Sequence, residues 1–225
     1  MSIKHIPVIT IDGPSGAGKG TIAQNVASTL GFHILDSGSL YRLTAVASQS
    51  DGIDLADELA IATVAAELDV VFKPTEKGLQ ILLRGDDASE AIREEKIGMR
   101  ASKVAAIPAV RDALLQRQRD FAELPGLVAD GRDMGTTVFP DAVLKVFMTA
   151  SAEERAERRV KQLKEKGINA NIAALVADLK ARDEQDANRA VSPLKPAEDA
   201  IFLDTTSMSI QQVTQKVLDL AKQRL

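Results

Sequence analysis

Residues 13–21, Gly-Pro-Ser-Gly-Ala-Gly-Lys-Gly-Thr, carry the most chemically suggestive spacing in the chain. A glycine, four residues, a second glycine and a lysine make a loop that wraps phosphate. Glycines let successive backbone N–H groups converge on phosphate oxygens with no Cβ in the way. The helix expected next, from about Thr21 to Leu30, turns its N-terminus and positive dipole end to the same anion. Lys19 is a mobile point charge for the β- and γ-phosphates of a nucleoside triphosphate. The pattern departs from its strict form where Gly20 follows the lysine and the usual hydroxyl is displaced to Thr21. Direct ligation of Mg²⁺ by this loop is therefore open. The bland alternative is a Gly-rich turn opening an ordinary helix. The β-branched apolar run Val8, Ile9, Ile11 just before it, read as a buried parallel strand, argues against that.

In an open α/β sheet, ligands gather outside the carboxyl ends of the strands. The residues just after each apolar run are thus the candidates: Asp12 to Lys19, Asp36 to Arg42, Asp130 to Asp133 and Thr149 to Ser151. Arg42 and Arg132, at two of these ends, suit a second phosphorylated ligand, because a guanidinium forks onto phosphate oxygens. Taken singly, each could equally be a solvated surface residue. Asp130 closes Leu-Val-Ala-Asp, where phosphate-loop proteins keep an acid near Mg²⁺; an acid capping the turn at Gly131 is the alternative.

Two later helices are rich in arginine. Arg155, Arg158 and Arg159 share a face at i, i+3 and i+4. They are either a lid over a transferring phosphoryl group or a face neutralised by Glu153, Glu154 and Glu157. Arg182, Asp186 and Arg189 stand at i, i+4 and i+7. They either grip a sugar and a phosphate or form an intrahelical Arg–Asp pair worth a few tenths of a kcal/mol. His5 and His33 are isolated and read as structural or surface residues. With no cysteine and no histidine pair, no dedicated protein metal site is expected; Mg²⁺ would come with ATP and lie near Asp130 through water.

A frame that positions these residues follows from the alternation of strands and helices. Apolar runs at 8–11, 32–36, 127–130, 143–148 and 201–205 read as core strands. Helices are expected over 56–68, 104–122 (starting near Pro108), 152–166 (ended by Gly167), 172–188 and 209–223, with the first turn of the helix bearing Tyr41 and Arg42 preceded by a Ser37-Gly38-Ser39 loop. The class is α/β: a P-loop NTPase-type parallel sheet flanked by helices, with a small antiparallel insert and a short helical lid. Within the insert, strands over 68–73 and 78–84 meet at a Pro-Thr-Glu-Lys-Gly turn; a third strand is expected near 86–89 and a helix near 90–100. The expected organisation is a single domain over 1–225, with its core at about 5–63 and 104–225, the insert at about 64–103 and the lid at about 152–167.

Composition narrows the function further. The 225 residues are 45% hydrophobic and 27% charged, ordinary for a globular protein. A net charge of −4, no Trp and 3% aromatics disfavour nucleic-acid binding. No apolar run reaches the roughly 20 residues that span a bilayer. Met-Ser-Ile-Lys-His-Ile-Pro at the start lacks the pattern of a signal peptide. A cytoplasmic monomer without membrane or nucleic-acid partners is expected.

Taken together, Gly-Pro-Ser-Gly-Ala-Gly-Lys-Gly-Thr (13–21), Asp-Ser-Gly-Ser-Leu-Tyr-Arg (36–42), Ala-Asp-Gly-Arg-Asp-Met-Gly (129–135) and Arg-Asp-Glu-Gln-Asp-Ala-Asn-Arg (182–189) before Ser-Pro-Leu resemble the bacterial cytidylate kinases, within the nucleoside monophosphate kinases. The resemblance runs from near residue 7 to the C-terminal helix. It implies transfer of the γ-phosphoryl group of ATP to CMP or dCMP. It implies ATP binding by Gly13, Pro14, Ser15, Gly16, Ala17, Gly18, Lys19, Gly20 and Thr21. The positions matching Ser102, Arg111 and Asp133 would meet the cytosine, those matching Ser37, Arg42, Arg132 and Arg189 the CMP phosphate, and those matching Arg182 and Asp186 the sugar. Lys19, Arg132 and the lid residues Arg158 and Arg159 would act on the transferring group. The chemistry agrees: cytosine offers an N4 donor to a carboxylate such as Asp133 and acceptors at N3 and O2 to Arg111 and Ser102. Ser39-Leu40 stands where the family usually has Ala-Met, and Ala187 where a Ser is frequent; neither changes a charge. Rival readings are an adenylate or uridylate kinase and a nucleotide-switched binding protein, though no Asn-Lys-x-Asp guanine-reading segment occurs.

Overall fold

The computed structural model describes residues 6–75, 78–165, 167 and 169–225. In chain order the elements are β1 (Val8–Asp12), α1 (Lys19–Leu30), β2 (His33–Asp36), α2 (Ser37–Ser50), α3 (Glu58–Ala66), β3 (Val70–Thr75), β4 (Gly78–Leu83), β5 (Asp86–Asp87), α4 (Glu95–Val104), α5 (Pro108–Arg119), β6 (Leu127–Gly131), β7 (Leu144–Thr149), α6 (Ala152–Glu165), α7 (Ile172–Ala187), β8 (Ile201–Asp204) and α8 (Ile210–Lys222). A 3₁₀ turn at Ala91–Arg93 and a π-helical turn at Met134–Val138 complete them. They group into two compact units, one joining the chain up to Leu35 with Asp120–Leu225, the other Asp36–Arg119.

The first unit is built on a five-stranded sheet in the order β2-β6-β1-β7-β8. Strand β1 lies in the middle, parallel to β6 (Asp12 opposite Gly131) and to β7 (Asp12 opposite Phe147), and β7 is parallel to β8. Every residue of β1 and β6 is buried, which is why these strands read as continuous apolar runs rather than alternating ones. Successive side chains still point to opposite faces. Ile9 and Ile11 pack with Ile22 and Val26 of α1 and Val213, Val217 and Leu218 of α8 in one apolar cluster. Thr10 and Asp12 therefore face the other side, a polar face inside an apolar strand. A capping box between Ser209 and Gln212 starts α8.

The second unit holds the antiparallel sheet β3-β4-β5, paired from Val70 with Leu83 to Thr75 with Gly78, and Leu83 with Asp86. Residues 76 and 77 of the expected turn lie outside the described residues. The strands fall within 64–103, but the compact unit is wider because α2 packs on α4 and α3 on α5.

Several boundaries differ from the sequence reading. No loop precedes α2: Asp36 caps it, accepting from the Ser39 N–H at 3.1 Å and the Ser39 hydroxyl at 2.6 Å, so Ser37-Gly38-Ser39 is already helical. The helix expected near 90–100 is split, because Glu94 is extended (φ −63°, ψ 139°); a 3₁₀ turn precedes it and α4 runs on to Val104. The next helix accordingly starts at Pro108, whose missing N–H costs nothing in a first turn. Helix α6 is described as far as Glu165, and residue 166, its expected end, lies outside the described residues.

Candidate active site

The phosphate-wrapping loop leaves β1 at Gly13, where φ is +150° and an added Cβ would sit 2.0 Å from the Met148 carbonyl oxygen. Only glycine lets the loop start this close to the end of β7. Gly18, left-handed at φ 89°, caps α1 with no side-chain hydrogen bond, and α1 begins at Lys19, two residues earlier than expected. No acidic residue stands in its first turn, so the N–H groups and the positive dipole end meet no competing carboxylate on their own helix. The Lys19 ammonium is buried at 8% exposure; it donates to the Pro14 carbonyl at 3.0 Å and lies 3.7 Å from an Asp130 oxygen.

Asp130 also accounts for the irregular Gly20. A Cβ there would come within 3.2 Å of Asp130 Oδ2, so glycine brings the first turn of α1 against the carboxylate ending β6. Among the described residues no group of three or more His, Cys, Asp or Glu could hold a metal ion. One carboxylate beside a phosphate loop fits a divalent ion that keeps its waters and takes most of its ligands from nucleotide phosphates.

Past β6 the chain leaves the sheet through Arg132 and Asp133 into the π-helical turn. Asp12, fully enclosed, accepts the Met134 N–H at 2.9 Å and the Gly135 N–H at 2.8 Å. Burial pushes its carboxyl up to about 6; the Asp133 charge adds to the rise, while the two N–H donors and Lys19 hold it back. Asp133 is itself buried.

Arg132 Nε and Arg189 Nη2 each pair with one oxygen of Asp186, a carboxylate with no exposed surface. This is more than the intrahelical pair of the bland alternative, since one of the two cations comes from the segment after β6. Arg182 is half-buried on the same helix.

The arginines of α6 have divided fates. Arg155 is buried at 3% exposure: Nε donates to Ala150 O at 3.0 Å, Nη1 to Ser15 O at 2.8 Å and to Asp183 Oδ1 at 3.0 Å, and Nη2 pairs with the other Asp183 oxygen. Arg158 donates to Glu154 and, at 2.9 Å, to the Thr205 carbonyl, so of the expected neutralising acids only Glu154 serves it. Glu153 turns to Lys180 of α7. Arg159 is half-buried.

Four further candidates lie in the second unit. Arg42 donates to the Ile92 carbonyl at 2.6 Å, and its guanidinium lies so near Gly98 that a Cβ there would be 3.0 Å from Nη2. Ser102, buried, donates to the Gly98 carbonyl at 3.2 Å. Arg111, also buried, stacks over Tyr41 at 5.6 Å and donates to Ala105 O. Ser37 is buried in the first turn of α2.

Three residues carry more weight than the sequence gives them. The sequence shows Asp12 only as a strand end, although an acid closing an otherwise apolar buried strand is itself a signal. It presents Arg155 as one of three equivalent arginines. Asp183 stands three residues before Asp186 on α7, close enough in helical phase to have been considered with it.

A family model described as cytidylate kinase matches residues 9–223. The chain is 59% identical over 218 residues to the cytidylate kinase of Stutzerimonas stutzeri (strain A1501), covering 96% of this chain and 95% of that protein. It is 60% identical over 220 residues to the cytidylate kinase of Pseudomonas syringae pv. tomato (strain ATCC BAA-871 / DC3000), covering 97% and 96%. The cytidylate kinase of Photobacterium profundum is 54% identical over 221 residues, covering 98% and 97%. No helix among the described residues is long and apolar enough to cross a membrane. By sequence match over nearly its whole length, the chain belongs to the cytidylate kinase family.

Proposed function

We propose that the protein transfers the γ-phosphoryl group of ATP to CMP or dCMP, giving ADP and CDP or dCDP, by direct in-line transfer, within pyrimidine nucleotide metabolism. The observation that carries the mechanism is the junction of β1 and β6. The phosphate loop leaves one strand and the Arg132–Asp133 segment leaves its neighbour at the same level of the sheet, with Asp12 paired opposite Gly131.

The acceptor is a phosphate oxygen already ionised at neutral pH, so no general base is needed. Catalysis is then positioning and charge neutralisation. The loop 13–21 takes the ATP phosphates, with Lys19 moving from Pro14 O to the β- and γ-oxygens. Ser37, Arg42, Arg132 and Arg189 take the acceptor phosphate, and Arg182 with Asp186 the sugar. Asp186 has a further part before substrate arrives, because it holds Arg132 and Arg189 in place. Asp133 accepts from the cytosine N4 amine while Arg111 and Ser102 serve N3 and O2; uracil would set an O4 acceptor against the carboxylate. Arg158 and Arg159 of α6 neutralise the transferring group, and closure of α6 over the loop excludes the water that would hydrolyse ATP. A divalent ion, Mg²⁺, would come with ATP and spread the charge between β- and γ-phosphates; Asp130 is the residue that would meet it through water.

The test is an ADP-release assay with ATP, Mg²⁺ and CMP, dCMP, UMP or AMP in parallel. Turnover with CMP and dCMP far above the others is expected. Preference for UMP or AMP would remove the cytosine pocket and leave the transfer chemistry.

A further inference from the structure

We propose that Asp12 is a positioning residue for acceptor specificity: its carboxylate fixes, through the backbone of Met134 and Gly135, the pose of Arg132 and Asp133. The proposal rests on the role given to Asp133 above.

The turn Met134–Val138 is closed from within at one end only. Thr137 and Val138 donate to the Asp133 carbonyl, and Phe139 donates to that of Met134. The N–H groups of Met134 and Gly135 stand at the start of the turn, where no earlier carbonyl of it can reach them. By position Asp133 is the residue that should cap them, yet its side chain makes no cap hydrogen bond. The cap comes instead from Asp12, 122 residues away in the chain, with one carboxylate oxygen on each N–H. A hydroxyl could serve one of these donors; only a carboxylate presents two acceptor oxygens and no donor.

The fit leaves no slack. A Cβ on Gly135 would lie 2.9 Å from the Thr10 hydroxyl, 3.2 Å from Lys145 Cδ and 3.3 Å from Asp12 Oδ2. The backbone of the turn thus lies flat on the polar face of β1. Asp12 is also the residue immediately before Gly13, so one side chain registers the acceptor-reading segment to the strand that carries the phosphate loop. A shift of about 1 Å in Asp133 would cost the site its choice between an amine and a carbonyl at pyrimidine position 4.

The experiment compares kcat/KM for CMP with kcat/KM for UMP in wild-type, Asp12→Asn, Gly135→Ala and Asp133→Asn enzymes. Asp12→Asn keeps the size and one acceptor but sets an amide N–H₂ against the second backbone donor. Gly135→Ala sets a Cβ 2.9 Å from the Thr10 hydroxyl and so lifts the turn off the same face of β1 while leaving the Asp12 carboxylate chemically intact. The ratio of the two kcat/KM values does not depend on how much enzyme is active, so a merely structural defect leaves it unmoved. Both variants are expected to lower the CMP-to-UMP ratio about tenfold or more, as Asp133→Asn does. If Asp133→Asn collapses the ratio while Asp12→Asn and Gly135→Ala preserve it, the proposal is overturned and the reading of Asp133 stands. If none of the three moves it, the role of Asp133 falls and this proposal with it. Should Asp12→Asn fail to fold, Gly135→Ala alone decides.

Discussion

Arg155 of α6 and Asp183 of α7 are joined by both guanidinium prongs, and the same guanidinium reaches the Ser15 carbonyl in the phosphate loop at 2.8 Å. One buried cation therefore ties the helix read as a lid, the helix bearing Asp186 and the loop to each other. Its burial at 3% exposure separates it from the half-buried Arg158 and Arg159 as a candidate for contact with phosphate.

Removing its partner should be costly. Asp183→Ala leaves a guanidinium at 3% exposure without its anion. Losing one member of a buried pair costs about 3–5 kcal/mol; because Asp183 keeps 29% of its side chain in solvent, about 2 kcal/mol is expected. For a chain of this size that is a fall of roughly 5 °C in Tm. Thermal unfolding followed by circular dichroism checks it, and an unchanged Tm would mean water substitutes for the carboxylate. The KM for ATP should rise as well, since Ser15 loses a fixed neighbour.

Asp186 makes a sharper case, being fully buried between two arginines. Asp186→Ala sets Arg132 and Arg189 against each other, so kcat/KM for CMP should fall about a hundredfold and stability by about 3 kcal/mol. Adding Arg189→Met removes one of the two unbalanced charges. The double variant should be more stable than Asp186→Ala alone, a sign reversal that a thermodynamic cycle measures directly. Additive losses would show that the three side chains are not coupled.

Lys19→Met should lower kcat at least about a thousandfold, because the charge meant for the developing phosphoryl oxygens is gone. CMP binding, followed by isothermal calorimetry, should stay within about twofold if Lys19 serves the ATP end of the site as proposed. Equal loss of CMP binding would place Lys19 with the acceptor instead.

The parts of this fold legible in sequence are those that physics writes locally. Strands β1, β6 and β7 are buried on both faces and so show as apolar runs, and the Gly-Lys spacing names its loop without help from the rest of the chain. The antiparallel strands announced themselves by a change of period without intervening helices. The missed features depend on distant partners or on geometry that has no period. Ser37-Gly38-Ser39 looks like a loop until Asp36 caps it. Glu94 breaks a helical pattern by its backbone alone. A π-helical turn has no i, i+3, i+4 signature, and the acid that caps it is 122 residues away. Arg155 and Asp183 are 28 residues apart on two helices, so nothing in the neighbourhood of either betrays the other.

Stability should also respond to pH through Asp12, whose carboxyl is raised from 3.8 to about 6 in the folded chain, chiefly by burial. The folded state thus holds this proton more tightly than the unfolded one. Its contribution to stability is complete below pH 3.8 and is lost progressively as pH rises from there through about 6. Above that window the buried anion costs roughly 3 kcal/mol relative to the protonated group, at about 1.4 kcal/mol for each pH unit crossed. Carboxyls held low by their partners, such as Asp51 beside Arg84 and Asp199 beside Lys145, act in the opposite sense. They are common to wild type and Asp12→Asn and cancel in the difference between the two. Urea unfolding of both from pH 4 to pH 8 should show the wild type losing ground to the asparagine variant by about 3 kcal/mol, mostly between about pH 4 and 6. A difference that stays flat with pH would mean that the two backbone donors and Lys19 fully offset the burial of the charge. Asp12 would then be an ordinary ionised cap rather than a carboxylate held under strain.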